Sequence, residues 1–114
     1  PEPLKQVLSE LSAIAGSSEL YIHFPDGDVL GALPMNSSLF FPNAFQLLTA
    51  AGDCIHAVSH TDLSGVTLDF YEEGRTGITY EIIGWGIYQE LVERSIAKIC
   101  PQKLARWRIG SSSN

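Results

Sequence analysis

The chemically densest stretch of the chain is CIHAVSHTD, where a thiol, two imidazoles and a carboxylate fall between Cys54 and Asp62. These are the side chains that bind transition metals. Read as a strand, the stretch projects Cys54, His56, Val58, His60 and Asp62 from one face. At about 3.3 Å per residue, Cys54 and Asp62 then lie roughly 26 Å apart, and His56 and His60 about 13 Å apart. Neither pair can share an ion whose ligands sit near 2 Å. Read as a helix, the two histidines become neighbours, but the metalloprotease pattern has Glu directly after its first His, and Ala57 stands there. Ile55, Ala57 and Val58 favour the strand. No metal, no cofactor and no catalytic residue is therefore expected from this stretch, and an enzyme using His56 and His60 is the weaker alternative.

The other reactive groups fit no reaction either. Asp26 with Asp28, and Glu72 with Glu73, fall in turn-like sequence where exposed acids are ordinary. PDGDVLG lacks the ligand series and the closing Glu of a calcium loop. Ser59 and Ser64 have no Gly-x-Ser-x-Gly elbow around them. Gly84-Trp85-Gly86 lacks the glycines and lysine of a phosphate cradle, and reads as a tight strand-to-helix corner with Trp85 packed over it. KLARWR, from Lys103 to Arg108, reads as a docking or solvated tail.

The elements that position these groups follow from periodicity. In 114 residues with 45% hydrophobic content, the chain has enough apolar material for one folded domain. That domain is expected over 1–114, with a core at about 4–100 and a basic, serine-rich tail at 102–114. A net charge of −6 argues against nucleic acid as a partner. No apolar run is long enough to cross a membrane. Cys54 and Cys100 make no disulfide framework, so reduced thiols in a cytoplasmic protein are expected.

Leu4, Val7, Leu8, Leu11 and Ile14 recur at helical spacing, and Gly16 ends that helix as a left-handed cap. Leu20, Ile22 and Phe24 then alternate with Tyr21 and His23, so a strand is predicted, turning at Asp26-Gly27 and returning over Val29 to Leu33. Gly31 marks a close approach by another group. PMNSS reads as a turn before a second helix carrying Phe41, Ala44, Phe45, Leu48 and Ala51, with Pro42 confined to its first turn. CIHAVSH, GVTLDFYEE and GITYEIIGW read as three strands. Ile87 to Cys100 carries the last helix, which Pro101 ends.

The fold class is therefore α+β, a single five-stranded antiparallel sheet with helices packed on it, in the order α-ββ-α-βββ-α. That order, with Leu8, Leu11, Ile14 and Gly16, the strand Leu20 to Phe24 and the Asp26-Gly27 turn, resembles the roadblock/LC7 family. The chain departs from the family in its proline-bearing second helix, the missing Val after Gly16 and the basic tail. The resemblance implies a non-enzymatic regulator or scaffold that binds a small GTPase and homodimerises through the second helix and the following strand. The residues point the same way if strand 54–62 is a free edge. The expected interface with a second copy or another protein is then Phe41, Phe45, Leu48, Cys54, His56, Val58 and His60. A small acidic inhibitor of the immunity-protein kind, steered by its charge to a basic partner, is the other reading.

Overall fold

The computed structural model describes residues 2–24, 31–51, 54–72 and 78–99. Three helices pack on a five-stranded antiparallel sheet, as the alternation and helical spacing predict. In chain order the elements are α1 (Glu2–Ile14), β1 (Glu19–His23), β2 (Leu33–Asn36), α2 (Ser37–Ala51), β3 (Cys54–Ser59), β4 (Ser64–Glu72), β5 (Ile78–Trp85) and α3 (Ile87–Ile99). Gly16, at φ +73°, follows α1 as the expected left-handed cap.

The strands lie in the order β2-β1-β3-β4-β5. β1 is antiparallel to both β2 and β3, so the β2-α2-β3 crossover straddles it. The expectation of a free edge at residues 54–62 is thus corrected: β3 is the middle strand, hydrogen-bonded to β1 on one side and β4 on the other. β3 also stops at Ser59. Residues 60–63 turn the chain back into β4, with Leu63 at φ +58° and the Ser64 amide donating to Asp62 Oδ1 at 3.2 Å.

Two other boundaries differ from the sequence reading. Of the expected return strand Val29 to Leu33, Val29 and Leu30 lie outside the described residues, Leu33 begins β2, and β2 runs on to Asn36; its Pro34 is tolerated because β2 is an edge. The Asp26-Gly27 turn and the tail from 102 lie outside the described residues. Pro42 stands sixth in α2, beyond the first turn, because the helix starts early at a strong cap. Asn36 Oδ1 there accepts from the Ser38 amide at 2.9 Å and the Ser38 hydroxyl at 2.8 Å. Gly31 has φ +74° with open space around it, so its backbone angle, not a close neighbour, favours glycine.

One core holds the layers together. Leu4, Val7, Leu8 and Leu11 of α1, Phe40, Phe41, Ala44 and Leu48 of α2, and Tyr88, Val92 and Ile96 of α3 meet Leu20, Ile22, Ile55, Ala57, Val66, Leu68 and Ile82 of the sheet. Buried polar groups fasten the junctions. Ser37 Oγ, fully buried, accepts from the Ser18 amide and donates to the Gly16 carbonyl, tying the α1–β1 loop to α2.

At the other junction, Ser64 Oγ accepts from the Ile87 amide at 2.9 Å, so β4 caps the first turn of α3. Gly86, at φ +66°, lies so close to Ser64 that no side chain fits there. This is the corner that Gly84-Trp85-Gly86 predicts. Ser64→Ala should remove the cap and lower stability by about 1–2 kcal/mol in urea unfolding. An unchanged midpoint would show that the capping bond contributes nothing.

Candidate functional site

The strand register sorts the reactive residues onto one side. Buried members of every central strand face the helices, while the alternate residues form an open face carrying the polar chemistry. Three cross-strand rows cover it. Pro34, Tyr21, Val58, Gly65 and Trp85 make the first; His23, His56, Thr67 and Ile83 the second; Cys54, Asp69 and Glu81 the third. His23 and His56 therefore stand side by side in the middle row, and His60 lies in the turn that follows β3.

Their contacts are structural in kind. His56 Nδ1 shares a 2.9 Å hydrogen bond with Thr67 Oγ1, linking β3 to β4, and its Nε2 lies 3.7 Å from Cys54 Sγ. The His60 ring stacks on Tyr21 at 4.2 Å between centroids and 16° between planes, and lies 6.3 Å from the His23 ring. Among the described residues, no three His, Cys, Asp or Glu side chains converge to hold a metal ion.

The predicted interface is divided by the fold. Phe41 and Leu48, each 1% exposed, pack in the chain's own core. Phe45 is half-buried beside α1, with its ring 5.8 Å from Tyr80 and the Lys5 ammonium 4.9 Å above it. Cys54, His56 and Val58 share the open face as expected, but His60 lies exposed in the turn rather than in the strand. Tyr21, His23, Thr67, Asp69, Glu81, Ile83 and Trp85 join that face without having been singled out as site residues. Alternation shows which side of its own strand each takes; it does not show which strands are neighbours.

The two sheet edges differ. β2 has four residues and contains Pro34, features that discourage further pairing. β5, ITYEIIGW, has eight residues, no proline or lysine and a single charge, Glu81. It is the last strand in the order, so one side of its backbone has no strand partner among the described residues. The Trp85 ring lies over Gly65, where any side chain would meet it, and closes the end of this strand.

Comparison with protein-family models, curated proteins and solved structures finds no match to the chain.

The purified chain should carry no stoichiometric zinc, because His56 engages Thr67 and Cys54 and His60 engages Tyr21. His56→Ala should cost about 1 kcal/mol of stability, as for a partly buried hydrogen bond. Elemental analysis giving one zinc per chain, lost on replacing His56 and His60, would overturn this assignment.

Proposed function

We propose that the chain is a non-enzymatic protein-interaction module that works as a homodimer, with β5 as its pairing edge. The observation that carries this reading is the contrast between the two edges: a short strand bearing proline against a long, nearly uncharged one. An unpaired row of backbone N–H and C=O groups on such a strand is a template for another strand. A second copy supplies an identical one, and a two-fold axis at the junction satisfies both rows with one self-complementary contact. The reactive side chains support a non-enzymatic role, because His56, Ser37 and Ser64 hold elements of the fold together. The small-GTPase partner implied by the roadblock/LC7 resemblance belongs to the same reading and rests on that resemblance alone.

A second reading has its own observation. Residues 1–101 contain all thirteen acids of the chain against Lys5, Arg75, Arg94 and Lys98, a net charge of −9. On the sheet face away from the helices Asp69 stands directly opposite Glu81, which is 8% exposed, so two of these acids sit side by side. A basic protein docking on this face is the alternative to self-pairing.

The two readings part in solution mass. Light scattering should give a dimer at micromolar concentration. Ile83→Lys, which puts a cation on the open face of each β5, should weaken it about tenfold, or about 1.4 kcal/mol, with the circular dichroism spectrum retained. A monomer at every concentration would exclude β5 pairing and favour the basic-partner reading.

A further inference from the structure

A groove of about 810 Å³ runs between α1 and α2, on the helix side of the sheet. Such a volume lies within the range of small-molecule sites, roughly 300–1,000 Å³. Its floor is apolar, with Leu8 and Phe41 at the bottom and Pro42 and Phe45 along one wall. Ala13 of α1 and Ala50 of α2 line it as well.

The charge at its mouth identifies the ligand chemistry. Lys5 lines the groove and holds its ammonium 4.9 Å above the Phe45 ring. The chain has thirteen acids and seven basic residues, so a cation would be expected to find a carboxylate. Lys98 does, pairing with Glu10 at 3.2 Å. Among the described residues, Lys5 has no carboxylate partner and no acidic side chain lines the groove. A groove with an apolar floor, the polar side chains of Ser9, Ser12, Gln46 and Thr49 in its lining and one cation without a carboxylate partner among the described residues suits a molecule with an apolar body and one negative head group.

We propose that the α1–α2 groove binds an amphipathic organic anion, specifically a medium-chain carboxylate. Its chain lies over Leu8, Phe41 and Phe45, and its head group pairs with Lys5. This site is independent of the pairing through β5.

The test compares three probes with the same tail, octanoate, octan-1-ol and octylamine, by amide chemical shifts of the whole chain. Octanoate should shift residues of α1 and α2 around the groove and bind at least about fivefold tighter than the other two. Lys5→Gln, an exposed change between good helix formers, should remove that preference while leaving residual binding of the tail. Ala50→Trp, which fills the groove from an exposed helix position, should abolish binding of all three. Three results would overturn the proposal: no shifts at α1 and α2, an affinity indifferent to head group, or a preference that survives Lys5→Gln.

Discussion

One cross-sheet row governs the rest of the structure: Ile22, Ala57, Val66 and Gly84 stand side by side on β1, β3, β4 and β5, all facing the helices. The first three are at most 1% exposed, and at Gly84 the backbone of Tyr88 comes so close that a side chain would collide with it. The period of a strand is two, so fixing this row fixes both faces. Slipping any strand by one residue would turn its apolar set to water and carry groups such as His23 or His56 into the core. Each apolar side chain lost from the interior would cost about 1.5–3 kcal/mol. Each imidazole buried without a partner would add a penalty of its own.

The open face is the other side of the same constraint. Residues that could have made a catalytic or metal centre are distributed across three rows, and their nearest contacts join strands rather than converge on a point. His56 binds Thr67 across β3 and β4, and His60 folds back on Tyr21 from the turn. Ser37 and Ser64, both nucleophiles by residue type, are buried at helix junctions.

Much of the fold was legible in the sequence because it is local. Helical spacing in Leu4–Ile14 and alternation in Leu20–His23 are set by residues close in the chain, and the elements form where those patterns occur. The position of β3 was not legible. Whether that strand lies at an edge or beside β1 depends on where the β2-α2-β3 crossover lands, a long-range choice that no local pattern encodes. The start of α2 was hidden differently: PMNSS has turn-like composition, yet Pro34 fits an edge strand and Asn36 a helix cap. The candidate site suffered most, since Phe41 and Leu48 are apolar at helical spacing whether they face a partner or the core.

The place of β5 in the sheet leads to the central claim, that its outer edge pairs with a second copy. Amide hydrogen exchange along Ile78–Trp85, measured at low and high protein concentration, tests it most directly. In an antiparallel strand alternate amides point away from β4. If β5 pairs, those amides exchange quickly when the chain is dilute and become strongly protected when it is concentrated, while exchange along β2 does not change. Fast exchange of the same amides at every concentration would contradict it.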